Sequence, residues 1–145
     1  MIDSSTCIVK PWGHELVLRN TGTYVVKVLH INAGCRLSLQ YHRFKHETLI
    51  LGSGSVFVEV RTDGVVTMDP LLSPIVLPPL TIHRVVAIEE SDVVEVSSCE
   101  LDDVVRLADD YGRTESESSP EETVNARPSS ARGIRPTNGP LDALL

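Results

Sequence analysis

Between Thr23 and Ser98 the chain is a succession of short apolar runs, each closed by a turn signal, and this spacing constrains its fold more than any other feature. TYVVKVLHI ends at Asn32-Ala33-Gly34; RLSLQYH and HETLIL follow, with Gly52 and Gly54 as punctuation. SVFVEVRT leads into Asp63-Gly64, a two-residue hairpin signal, and VVTM follows it. SPIVL stops at Pro78-Pro79, and HRVVAI and VVEVSS complete the series. Many short strands with little between them predict an all-β fold, an antiparallel sandwich or barrel. Aromatic residues make up 4% of the chain, so the core must come from Val, Leu and Ile, and β-branched side chains suit pleated surfaces.

A chain of 145 residues is enough for one domain with a core of its own. The segment LDDVVRLADDYGR breaks the β pattern. Val104, Val105, Leu107 and Ala108 fit a short amphipathic helix, with Asp102 and Asp103 in its first turn and Gly112 as its stop. From Thr114 the composition changes to TESESSPEETVNARPSSARGIRPTNGP, rich in Ser, Pro, Glu and Arg and without hydrophobic period. Residues 114–145 are therefore expected to form a disordered tail behind a domain at 1–113.

The formal net charge of −7 argues against general affinity for nucleic acid or an anionic membrane, while leaving room for a locally basic pocket. No stretch reaches the ~18 apolar residues of a membrane span, and MIDSSTCIVKPWG has no apolar signal core. Three widely spaced cysteines, Cys7, Cys35 and Cys99, form no CxxC pair and read as buried small hydrophobes in a reduced, cytoplasmic protein.

The chemistry concentrates in Gly34–Gly54, which reads G-x5-Q-x-H-x4-E-x6-G. Ser38, Gln40 and His42 alternate along one strand and share a face. Glu47 can return on the next strand, and P-x4-H-R places His83 at the start of another after the Pro78-Pro79 turn. Two imidazoles, a carboxylate and an amide oxygen form an N/O donor set suited to a divalent ion, Zn²⁺ foremost, with Mn²⁺, Co²⁺, Fe²⁺ or Ni²⁺ as alternatives. His14, His30 and His46 read as structural. Lys27 stands among apolar residues in a run whose alternation puts Tyr24, Val26 and Val28 on one face and Val25, Lys27 and Leu29 on the other. Inward it contacts substrate and outward it is an ordinary solvated lysine; the pattern alone does not choose.

This two-part spacing resembles the cupin signature, with Gln40 where many cupins have histidine. The chain further resembles the C-terminal isomerase domain of type II mannose-6-phosphate isomerases, the bifunctional phosphomannose isomerase/GDP-mannose pyrophosphorylases. The matching stretches run in order over about residues 9–113: KPWG, YVVKV, GCRLSLQYH, Glu47, His83-Arg84 and DDVVRLADDYGR. The resemblance implies a double-stranded β-helix, or jelly-roll barrel, with a short C-terminal helix. It also implies metal-dependent interconversion of mannose 6-phosphate and fructose 6-phosphate, for nucleotide-sugar and polysaccharide biosynthesis. The metal would sit on Gln40, His42, Glu47 and His83, with Arg106, Arg113 and Lys27 as catalytic residues and Arg84, Lys10 and Ser38 as substrate contacts. A phosphosugar is then the expected partner, and a homodimer would protect unpaired strand edges. The nucleotidyltransferase domain of the bifunctional enzymes is not expected, because no Gly-rich phosphate loop precedes residue 10.

Three positions depart from that family. Lys10 stands for arginine, Leu80 for a common glycine, and Thr48 for a histidine that follows the glutamate and could carry a proton. His46, one residue before Glu47, points by strand alternation to the opposite face. These changes keep a second reading in view, a non-catalytic, sugar-phosphate-binding cupin that has lost its proton shuttle; a third, a metal oxygenase of the wider cupin group, is disfavoured by Gln40 in place of the usual histidine and by the YGR ending.

Overall fold

A computed structural model describes residues 5–114; the tail expected beyond them lies outside the described residues. Eleven strands make up the described fold: β1 (Thr6–Lys10), β2 (Gly13–Asn20), β3 (Val25–Ile31), β4 (Leu39–Tyr41), β5 (Glu47–Ser53), β6 (Val56–Thr62), β7 (Val65–Pro70), β8 (Ile75–Leu77), β9 (Ile82–Ala87), β10 (Ser91–Ser97) and β11 (Val105–Ala108). They pair antiparallel in two sheets, ordered β1-β2-β3-β10-β5-β8 and β11-β4-β9-β6-β7. The fold is all-β, a cupin double-stranded β-helix. Among the described residues no helix is long and apolar enough to cross a membrane.

The core follows from alternation. Residues 25, 27, 29 and 31 of β3 face inward, and Leu29 and Ile31 meet Leu49, Val56, Val58, Val85 and Val93 between the sheets. Each buried Val, Leu or Ile contributes about 1.5–3 kcal/mol of burial. The Asp63-Gly64 signal is realised as a two-residue hairpin between β6 and β7, with Thr62 opposite Val65 and positive φ at both turn residues.

The helix expected in LDDVVRLADDYGR does not form; residues 105–108 run as β11 on the edge of β4. Val105 is buried and Leu107 exposed across a register irregularity between Arg106 and Ala108, and the edge of β4 offers backbone groups that a pairing strand satisfies and a short helix could not. Residues 6–20 form the β1–β2 hairpin, which the run of short strands from Thr23 does not include. Its strands are largely exposed and carry no clear apolar alternation, but Gly13 locks them to the barrel: a Cβ there would lie 1.9 Å from the His30 carbonyl oxygen.

Leu80, standing where glycine is common in the resembling family, has φ +67° and an exposed side chain. The left-handed region costs a non-glycine residue roughly 1–2 kcal/mol, against roughly 0.5–1 kcal/mol of extra chain entropy for glycine. Leu80→Gly is therefore expected to stabilise the fold by about 0.5–1 kcal/mol, read as a higher denaturation midpoint with an unchanged m-value.

Candidate metal and anion site

Three side chains converge between the sheets. Glu47 opens β5, His83 lies on β9, and His42 follows the last residue of β4; all three are buried, and their potential ligand atoms lie within 4.8 Å of one another. His83 Nε2 is 2.8 Å from Glu47 Oε1, and His42 Nε2 is 3.5 Å from Glu47 Oε2. The far nitrogen of each ring is tied to backbone: His83 Nδ1 donates to Thr81 O at 2.8 Å, and His42 Nδ1 to the carbonyl of Asp103. Such ties fix the tautomer and aim Nε2 at the shared centre.

A divalent ion fits this arrangement. A neutral imidazole has a single N–H, yet His83 faces oxygen acceptors at both nitrogens. His42 Nε2 is buried with no hydrogen-bond partner. An ion among the two Nε2 atoms and Glu47 would satisfy both lone pairs and the carboxylate together. Burial pushes the Glu47 carboxyl up, but the nearby His42 and His83 imidazoles and the Lys45 ammonium outweigh it and hold it well below the usual carboxylate range. Glu47 is thus a ready anionic ligand.

Gln40 pairs in register with His83 and lines the same cavity as Glu47. Its Oε1 accepts from buried Ser38 Oγ at 2.6 Å, which orients the amide and leaves a second lone pair for an ion. Ser38 itself lines the same cavity. The cavity extends outward, ≈ 110 Å³, and is lined by Lys10, Lys27, Lys45, Arg106 and Arg113 against Glu15, Glu95 and, deeper, Glu47. In a chain of net charge −7 this is a local excess of cations. The open question about Lys27 resolves inward: it is buried, with Nζ 3.4 Å from Glu15 Oε2, while Lys10 Nζ is 3.6 Å from Glu15 Oε1. Arg106 stands opposite Gln40 in the β11–β4 register, its Nε buried and without a hydrogen-bond partner. Arg113 is held by Asp109 through two side-chain bonds of 2.9 Å.

Arg84 is the exception among the expected site residues. Adjacent to inward-facing His83 on a strand, it points to the opposite face, where Nη2 donates to Ala108 O at 3.0 Å and Arg36, Asp110 and Glu59 are its charged neighbours. Its expected place as a substrate contact is corrected: it lies outside the cavity lining and ties β9 to the end of β11.

The same alternation changes the meaning of position 48. Thr48 lies opposite Val76 and Val96 on the outer face, beside exposed His46 and Tyr24, so a histidine there would also point away from the cavity. Two inward titratable residues carry no signal in the sequence pattern, Lys45 and Glu95: both are buried, and Lys45 donates to Glu47 Oε2 at 2.8 Å and to Glu95 Oε1 at 2.6 Å. His14 and His30 stack at 4.7 Å away from this centre, with His30 Nδ1 2.7 Å from Asp92, in keeping with structural roles.

Comparison with known proteins bears on the fold and the family. Among solved structures, oxalate decarboxylase from Bacillus subtilis superposes with a TM-score of 0.64 at 16% identity, covering 80% of this chain and 33% of that one. A Klebsiella pneumoniae protein described as having a double-stranded beta-helix domain gives 0.55 at 20% identity, covering 66% and 84%. At these identities the likeness is one of fold. The alginate biosynthesis protein AlgA of Pseudomonas aeruginosa is 30% identical over 112 residues, 74% of this chain but only 23% of that protein. The family described as "Mannose-6-phosphate isomerase C-terminal" matches residues 2–109, from the first hairpin through β11. With that match spanning most of its length, the chain belongs to the mannose-6-phosphate isomerase C-terminal family of cupins.

Proposed function

We propose that this chain is a metal-dependent aldose–ketose isomerase that interconverts mannose 6-phosphate and fructose 6-phosphate. The observation that carries the reading is a ring of cations, Lys10, Lys27, Arg106 and Arg113, around a buried His–Glu–His centre in an otherwise acidic protein. Family membership and the likeness to a protein named for alginate biosynthesis support a sugar phosphate as substrate and polysaccharide precursors as the setting.

Gln40, His42, Glu47 and His83 hold the divalent ion in this reading. When bound, such an ion polarises a sugar carbonyl and its neighbouring hydroxyl and stabilises enediolate charge. Arg106 and Arg113 present guanidinium forks, and Lys10 and Lys27 point charges, to the phosphate at the mouth. Glu95 faces the cavity with Oε1 against Lys45 Nζ, and this pair replaces the proton carrier sought at position 48: Glu95 accepts the proton from one carbon and returns it to the next.

A second reading, a non-catalytic binder of metal and sugar phosphate, rests on a specific observation. Lys45 engages both Glu47 and Glu95, while Glu15 is occupied by Lys10 and Lys27. Incubating the Zn²⁺-, Mn²⁺- or Co²⁺-loaded protein with mannose 6-phosphate, with coupled detection of fructose 6-phosphate, separates the two. Turnover that disappears in Glu95→Gln supports the isomerase; metal-dependent binding of the sugar phosphate without turnover sinks it in favour of the binder.

A further inference from the structure

The five residues between β4 and β5, 42–46, carry His42 and lead directly into Glu47, yet lie outside both strands. Their backbone is not held by sheet pairing. Three consecutive amides instead donate to one carboxylate: Arg43 N to Asp103 Oδ1 at 3.0 Å, and Phe44 N and Lys45 N to Asp103 Oδ2 at 2.6 and 2.9 Å. The carbonyl of the same residue receives His42 Nδ1. Asp103 comes from the crossover between β10 and β11, about sixty residues downstream, and has no place in the cavity lining.

We propose that Asp103 is a positioning residue for the metal centre, whose carboxylate sets the path of the 42–46 turn so that His42 and Glu47 reach a single ion. The proposal rests on the reading of these residues as ligands. Turns left to themselves sample several paths, and a successive run of N–H groups converging on an anion selects one of them. The other anchors found for this turn, Leu80 N to His42 O and the paired contacts of His46 with Ser98, hold its two ends. Asp103 alone among them grips the middle. Because Arg43 and Phe44 are exposed, water can take over their amides when the carboxylate is removed, so the barrel is expected to persist while the ligand geometry loosens.

The test is Co²⁺ binding to the full chain, followed by titration and by the visible absorption of the bound ion. Asp103→Ala is expected to weaken Co²⁺ binding about 10- to 100-fold, the range for groups that orient metal ligands, and to alter the absorption band. Asp103→Asn, which keeps one acceptor oxygen, is expected to fall between alanine and wild type, and carries the same test if the alanine variant does not fold. Asp110→Ala serves as control: its carboxylate ties Arg36 to the other flank of β11, remote from the turn, so Co²⁺ affinity should stay at the wild-type value. Wild-type affinity and spectrum in a folded Asp103 variant would overturn the proposal, as would an equal loss in Asp110→Ala, which would mean general loosening. Absence of Co²⁺ binding in the wild type would overturn the ligand reading itself.

Discussion

Replacing His83 with alanine is expected to lower divalent-metal affinity by more than about 100-fold, because even residues that only orient ligands cost 10–100-fold. It should also abolish any isomerase turnover. The effect has two parts that separate experimentally. With metal present, the substitution removes one of two imidazole donors from a centre whose remaining acidic ligand is Glu47. Without metal, it strips the 2.8 Å partner from Glu47 Oε1 and the donor from Thr81 O, both in buried surroundings. Leaving such groups unsatisfied costs about 1–3 kcal/mol. Isothermal titration with Zn²⁺ or Co²⁺ reads the first part, and thermal unfolding in excess chelator the second. Metal affinity unchanged in a folded His83→Ala would remove His83 from the ligand set. The same substitution at His30, stacked on His14 outside the centre, should leave metal affinity untouched.

Much of this centre was legible in the sequence because strand alternation is rigid. Gln40 and His42 two residues apart, and a glutamate after a short turn, permit few placements once the chain is all-β. The same rule, applied one residue further, explains both misplacements. Arg84 neighbours His83 in sequence, but in a strand neighbours face opposite ways. Thr48 follows inward-facing Glu47 and must point out, away from where a proton carrier would act. The inward orientation of Lys27 needed the register of β3 against β10, which places it opposite Glu95. Lys45 escaped notice for a different reason. It sits in a polar stretch that reads as a solvated turn, and its partner Glu95 lies fifty residues away on β10, a contact no local pattern encodes. The segment ending in YGR misled because apolar spacing over four residues cannot distinguish an edge strand from one helical turn; the vacant edge of β4 decided it.

Lys45 carries the other large expected effect. Its ammonium is buried with Glu47 at 2.8 Å and Glu95 at 2.6 Å, so Lys45→Met leaves two buried carboxylates without their shared cation. Removing one partner of a buried ion pair costs about 3–5 kcal/mol, which in a domain of this size lowers Tm on the order of 10–20 °C. The pH dependence follows from the direction of each shift. Burial pushes the Lys45 ammonium down, but the charges of Glu95 and Glu47 outweigh it and hold its pKa above the ordinary lysine value. Its contribution is therefore complete below the unfolded value, ~10.4, and is lost as pH rises through the folded one. Glu47, held low, contributes above the unfolded carboxylate value of ~4.3, and that contribution is lost as pH falls through its folded value. In Lys45→Met the destabilisation should be largest at neutral pH in chelator and shrink as acid neutralises one of the two carboxylates. It should also shrink when Zn²⁺ or Co²⁺ is added, since an ion on Glu47 supplies the missing positive charge. Thermal unfolding of both proteins, with metal and with chelator, from about pH 3 to about pH 11 measures all of this. An equal penalty under every condition would mean that Lys45 stabilises the fold through packing alone, and that its charge is not balanced against the metal centre.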